Sequence, residues 1–303
     1  MPYNCVVLVK QVPNTQEISG KVMKDDGTVN RAVLPTIFNP EDLNALELAL
    51  QIKDRFGGTV TAVTMGLPSA AEVLRQSLYR GADQAILITD RRCGGSDTLA
   101  TSYILSCAVK KLDYDIVLCG RQAIDGDTAQ VGPQTAEKLN LPQISYVEEL
   151  ISIDRKTITL RRNIGNGYQI VKSPLPVLLT VIDSANNPRV GVARMMMQRK
   201  KAKTPMEIQK SVQDSNPDAD ESIIQKLIQD QIKSLKEQGS LIRQWNLDDL
   251  EADLNWCGIS GSPTKVHRIQ SIVLSAKEVK DIAATDEGIS DLIHGLIEDK
   301  TIA

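Results

Sequence analysis

The residues in this 303-residue chain best suited to chemistry form one stretch, Gly120-Arg121-Gln122-Ala123-Ile124-Asp125-Gly126-Asp127-Thr128-Ala129-Gln130-Val131-Gly132-Pro133. It leaves an apolar run and enters a helical pattern. Gly120 and Gly126 would let the backbone come close to a ligand. The first amides of a helix starting here suit an anion, and Asp127 or Thr128 is the expected cap. Asp125 and Asp127 oppose a phosphate, so backbone amides and Arg121 have to outweigh them. The plainer reading is a well-capped loop between strand and helix.

A second stretch has the same setting: Cys93-Gly94-Gly95-Ser96-Asp97-Thr98-Leu99-Ala100-Thr101-Ser102. Ser96 is the expected cap, and the hydroxyls of Ser96, Thr98 and Thr101 gather at the helix start. They suit a polar ligand edge, or, more plainly, an N-cap with hydroxyls toward solvent. Lys10 after the first apolar run, Met65-Gly66 after a later one, and Asn39-Pro40 at a helix start would share the same side. Convergence at the carboxyl ends of strands is where an open α/β sheet binds nucleotides.

The elements that must position these residues alternate. Short apolar runs at Cys5–Val9, Thr59–Met65, Gln84–Thr89, Asp115–Cys119 and Val177–Ile182 read as buried strands. Between them lie helical patterns: one opening at Asn39-Pro40-Glu41-Asp42, with Asn39 as cap and the acids at the positive dipole end, one over 69–79, one after Ser96, and one after the long loop. Strands alternating with helices predict a mostly parallel sheet. Alternation over Lys156–Leu160 and a turn at Asn166-Gly167 before Tyr168–Val171 predict a hairpin at the sheet edge. The expected division is an α/β nucleotide-binding domain over 1–190, then a loop, a helical insertion and a C-terminal arm over 191–303. The later part carries Met195-Met196-Met197, the stripe Ile224, Leu227, Ile228 and Leu235, and another at Ile289, Leu292, Ile293 and Leu296.

Composition removes several classes. Aromatics are 3% and the formal net charge is -3, which leaves neither stacking platforms nor a basic footprint for nucleic acid. Five cysteines without a Cys-x-x-Cys pair argue against a zinc site or a disulfide framework. The expectation is a cytoplasmic protein, with no signal-peptide pattern and no membrane span. There is no Walker A sequence and no G-x-G-x-x-G after the first strand. The two histidines, His267 and His294, lie in the tail, far along the chain from any nucleophile set.

Leu8-Val9-Lys10-Gln11-Val12-Pro13, Asn39-Pro40, the Gln122–Asp127 loop and Asn187-Pro188-Arg189 together resemble the electron-transfer flavoprotein β subunit. The resemblance covers roughly 3–203 and resumes around Trp245–Arg268 with Gly261-Ser262-Pro263-Thr264. It implies an adenine-nucleotide α-hydrolase-like α/β fold and pairing with an FAD-carrying α subunit. It implies a β site that holds AMP in ordinary members and a second FAD in electron-bifurcating ones. By this resemblance Leu8, Asn39, Asp42 and Met65 line the adenine pocket and the backbone of Ala123 to Gly132 meets the phosphates. Ser96, Asp97, Thr98 and Thr101 look like the bifurcating type, where they lie near the flavin. That type takes a hydride from NADH and divides the electrons between ferredoxin or flavodoxin and, via the α-subunit FAD, an acyl-CoA dehydrogenase-type flavoenzyme. Chemistry then belongs to the flavin, and no side chain need act as acid or base. Two departures stand out: Ala193 occupies the position of a docking leucine, and 205–243 reads as an inserted, mostly helical segment without an assigned role. A nucleotide-sensing module without redox function is the reading from another class.

Overall fold

The computed structural model describes residues 1–14, 35–264 and 281–298; His267 and the end of the Trp245–Arg268 resemblance lie outside them. β1 (Cys5–Leu8) leads into a short ribbon in which β2 (Gln11–Pro13) pairs antiparallel with β3 (Thr36–Phe38). Then follow α1 (Pro40–Phe56), β4 (Val60–Met65), α2 (Ala71–Arg80), β5 (Gln84–Ile88), α3 (Thr98–Lys110), β6 (Ile116–Gly120) and α4 (Val131–Leu139). β7 (Gln143–Ile153), β8 (Thr157–Asn163), β9 (Tyr168–Pro174) and β10 (Val177–Val181) complete the first part. After them come α5 (Ala193–Arg199), α6 (Pro205–Ser215), α7 (Glu221–Glu237), β11 (Arg243–Trp245) and α8 (Asp286–Glu298).

Nine strands form one sheet in the order β11-β5-β4-β1-β6-β10-β7-β8-β9. It is parallel from β11 to β7 and antiparallel from β7 to β9. Its middle strands are apolar along their length because helices cover both faces. Val7, Val60, Leu118 and Leu179 pack on one side with Ala45, Leu46 and Ala49 of α1 and Val73 and Leu74 of α2. Val6, Leu8, Val63 and Val117 pack on the other with Ile104 and Ala108 of α3 and Ala136 of α4. The α/β fold expected from the alternating pattern is present, with the hairpin at the edge.

Two features differ from expectation. β7 was hidden in a region read as loop and helix. Its buried positions recur unevenly, and a bulge at Tyr146, with φ 59, interrupts the period on which a strand is recognised. β11 comes from the C-terminal third yet extends the main sheet beside β5, and Leu247, Leu250 and Cys257 join the core face carrying α3. Three residues cannot show a period. The inserted segment is helical, and α6 and α7 bury Ile208, Val212 and Ile228 between them. No helix among the described residues is long and apolar enough to cross a membrane.

Candidate functional site

The parallel strands direct the carboxyl ends of β1, β4, β5 and β6 to one edge of the sheet, and the loops after them make the site. Leu8 is buried at the end of β1, and Met65, half-buried at the end of β4, packs on the same apolar cluster. The amide of Gly66 is tied back to the carbonyl of Ile88 at 3.0 Å.

The loop 120–130 is held from outside by the first turn of α1. Asn39 was expected to cap α1, but its side chain makes no cap hydrogen bond. Instead its Nδ2 donates to the Gln122 carbonyl at 2.9 Å and its Oδ1 accepts from the Ile124 amide at 3.1 Å. The carboxylate of Glu41 accepts from the Gln122 amide at 3.0 Å and pairs with Nη2 of Arg121 at 2.6 Å. Asp42 accepts from the Lys10 amide at 2.9 Å and the Gly120 amide at 2.8 Å, which ties the ends of β1 and β6 together. Burial pushes the Asp42 carboxyl up to about 7, although the two amides and Asn39 pull the other way. Gly120 is needed for this approach: a Cβ there would lie 2.6 Å from Oδ1 of Asp42. Its close neighbour is thus α1, where the sequence suggested a ligand.

The charges of the loop are largely neutralised within the chain. Nζ of Lys10 pairs with Asp125 at 2.7 Å. Arg121, expected to offset a phosphate, is committed to Glu41 and lies 5.8 Å from the ring of Tyr146, and its buried Nε has no hydrogen-bond partner among the described residues. Asp127 accepts from Nε2 of Gln122 at 3.0 Å. The Ala123 carbonyl closes a turn with the amides of Gly126 and Asp127 at 3.2 and 2.9 Å.

The start of α4 is open. Neither Asp127 nor Thr128 caps it. Asp127 and Ala129 adopt left-handed φ of 48° and 52°, which delays the helix until Val131, and Gln130 stands at the cap position without a capping hydrogen bond. The amides of Thr128, Ala129, Gln130, Val131 and Gly132 make no hydrogen bond among the described residues. Left free at a helix N-terminus, they carry the partial positive charge that attracts an anion. Nothing lies within 4 Å of where a Cβ on Gly126 would sit, so the chain's own packing does not require glycine there, and the backbone is open to a closely approaching ligand. These features fit a nucleotide whose phosphates meet residues 126–132.

The start of α3 lies beside it, since the hydroxyl of Thr98 donates to Oε1 of Gln130 at 2.9 Å. Asp97, one residue after the expected Ser96, is the cap. It accepts from the Ala100 amide at 2.9 Å, while Ser96 donates to the Cys93 carbonyl at 2.7 Å and closes the preceding turn. The Thr101 amide donates to the Asp97 carbonyl at 3.0 Å. The segment before residue 265 folds over this turn: Ser262 Oγ accepts from the Asp97 amide at 2.8 Å and the Thr264 amide donates to Asp97 Oδ2 at 3.0 Å. Burial raises the Asp97 carboxyl, but the amides of Ala100, Thr264 and Leu99 outweigh it and leave it below the ordinary value. Glu41 and Ser262 are the site residues that sequence reasoning missed. Glu41 was read only as a complement to the helix dipole. A surface concavity of about 510 Å³ at Arg75, Lys203 and Lys210 belongs to α6 and its approach, not to the strand ends.

Known proteins resemble this chain over most of its length. Residues 26–215 match the electron transfer flavoprotein domain. The chain is 41% identical over 277 residues to the electron transfer flavoprotein subunit beta of Clostridium acetobutylicum, covering 91% of this chain and 89% of that protein. It is 38% identical over 300 residues to protein FixA of Sinorhizobium fredii, with 96% and 91% covered. It is 40% identical over 266 residues to the caffeyl-CoA reductase-Etf complex subunit CarD of Acetobacterium woodii, with 87% and 86% covered. With most of its length matched in each case, the chain belongs to the electron transfer flavoprotein family, among the β subunits and FixA proteins.

Proposed function

We propose that this chain is the FAD-holding β subunit of an electron-bifurcating flavoprotein. Electrons from NADH would be divided between a low-potential ferredoxin or flavodoxin and, via the FAD of an α subunit, an acyl-CoA dehydrogenase-type partner. The observation that carries the reading is the meeting of α3 and α4 at Thr98 and Gln130. A ligand whose phosphates take the free amides of 126–132 has the hydroxyl-bearing turn at 96–101 beside it, so a dinucleotide has more of the chain to touch than a mononucleotide. Leu8 and Met65 offer apolar surface for an adenine. The bound flavin supplies the acceptance of a hydride and the release of single electrons. The chain's own residues bind and orient it: the α4 amides counter the phosphate charge, and the Lys10–Asp125 and Arg121–Glu41 pairs hold the loop in shape. The exposed side chains of Val190, Val192, Met196 and Met197 form an adaptable apolar surface suited to a dehydrogenase.

A second reading, the ordinary AMP-holding β subunit, has its own support. The Asp97 carboxylate and the Ser96 hydroxyl are already engaged by the protein, which leaves fewer polar groups free for a flavin. The test is to co-express the chain with its α subunit and quantify the nucleotides released on denaturation. Two FAD and no AMP per heterodimer support bifurcation and predict NADH oxidation. One FAD and one AMP replace it with the ordinary carrier. A folded sample without flavin returns the nucleotide-sensing module.

A further inference from the structure

Helix α1 buries an unusual file of polar side chains: Asn39, Glu41, Asp42, Asn44 and Glu47 are each 6% exposed or less. Buried polar and charged groups are costly unless partnered, so their partners matter. Asn39, Glu41 and Asp42 hold the nucleotide loop. The other two turn to a different segment. Nδ2 of Asn44 donates to the carbonyls of Asp183 and Asn186 at 3.1 and 2.7 Å, and Nδ2 of Asn186 donates back to the Asn44 carbonyl at 3.0 Å. Glu47 accepts from the amide, Nε and Nη2 of Arg189 at 3.0, 2.8 and 3.1 Å. Nη2 of Arg189 also reaches Asp54 at 2.8 Å, and its carbonyl accepts from Nε of Arg80 at 3.1 Å. Burial alone would raise the Glu47 carboxyl, yet the bonds from Arg189 hold it below its ordinary value. The chain leaves this anchor directly into Val190, which is 81% exposed, and then into Val192, Met196 and Met197. One 17-residue helix therefore grips the nucleotide loop with its first turn and the root of the exposed apolar patch with its next turns.

We infer that Glu47 is a positioning residue: through Arg189 it fixes the apolar patch at 190–197 to the same rigid helix that braces the nucleotide loop, so that filling the loop steadies the patch. This rests on the nucleotide reading of the loop and adds to it a link between cofactor occupancy and the surface offered to a partner. The physical basis is that a ligand ordering residues 120–132 restrains Asn39, Glu41 and Asp42, and a helix passes that restraint along its length. The second contact set then has less freedom left to lose.

The experiment is amide hydrogen exchange on the full chain in complex with its α subunit, stripped of nucleotide and then supplied with AMP or FAD. Wild type is expected to show slowing at 120–132 and also at 186–197, the latter by roughly fivefold, the lower end of ordinary coupling between sites. Glu47→Gln should keep the slowing at 120–132 and lose it at 186–197. Arg189→Lys, which keeps the charge but not the two-pronged contact, should weaken it in the same place and serves if Glu47→Gln does not fold. Asp54→Asn, which removes only the outer partner, should leave both intact. Slowing confined to 120–132 in wild type, or slowing at 186–197 that survives in both anchor variants, overturns the inference while leaving the nucleotide reading in place. No slowing at 120–132 with either nucleotide overturns both.

Discussion

The N-termini of α3 and α4 stand side by side, joined by Thr98 and Gln130, and they are finished in opposite ways. At α3 the protein satisfies its own amides: Asp97 caps the helix, and Thr264 and Ser262 from far along the chain tie down the cap. At α4 the cap position holds Gln130, whose side chain serves Thr98 instead, and the first amides stay free. On the proposed function, the open end of α4 is where an external anion would complete the structure, beside an end the protein closes itself. The acids nearby do not contradict this, because Asp125 and Glu41 are already paired with Lys10 and Arg121.

The sharpest way to break this contrast is to open the closed end. Asp97→Ala removes a cap and the anchor of Thr264, and is expected to cost about 2 kcal/mol in urea unfolding, a cap and one further hydrogen bond together. A cost near zero would mean that α3 is not closed in the way described. The converse is to close the open end. Gln130→Asp supplies a capping carboxylate, and nucleotide affinity, read by calorimetry, should fall by about tenfold, roughly 1.4 kcal/mol, while the apo protein gains up to about 1 kcal/mol. Unchanged affinity would remove the phosphate from α4.

The brace behind both helices gives a pH prediction. Asp42 titrates near 7 in the folded protein against an ordinary 3.8. Between those values the folded state holds a proton that the unfolded state has lost, so this group's contribution to stability falls as pH rises from about 4 to about 7. Asp42→Asn should flatten that part of the stability profile measured by denaturant unfolding from pH 4 to 8. An unchanged slope would place the titration elsewhere. The smallest structural effect belongs to Gly126→Ala. With no neighbour within 4 Å, unfolding stability should move by no more than about 0.5 kcal/mol, while nucleotide affinity falls. A loss of stability larger than that would show that the chain itself needs the glycine.

The parts of this molecule legible in the sequence are those governed by local pattern. Apolar runs such as Cys5–Val9 and Asp115–Cys119 announce a buried parallel sheet, and the turn at Asn166-Gly167 announces the hairpin. The position of the long loop at a strand end also follows from pattern. What pattern could not show is who answers whom at a distance. Asn39 has every property of a helix cap and is used to brace residues 122–124, more than eighty positions away. Ser96 and Asp97 are both good caps, and the choice of Asp97 goes with Ser262 and Thr264, which bind it from across the fold. β11 is three residues long and becomes a strand only because the edge of β5 offers it a ladder.

That late strand has a consequence for how the chain is made. Arg243 meets Gln84 across 159 positions, so β5 cannot receive its neighbour until most of the protein has been synthesised. At roughly 5–20 residues per second the edge of β5 waits about 8 to 30 s with its backbone unpaired. During that interval a nascent chain offers Ala85, Ile86, Leu87 and Ile88 as an open template for other strands. The pace of synthesis thereby sets how long that edge stays open.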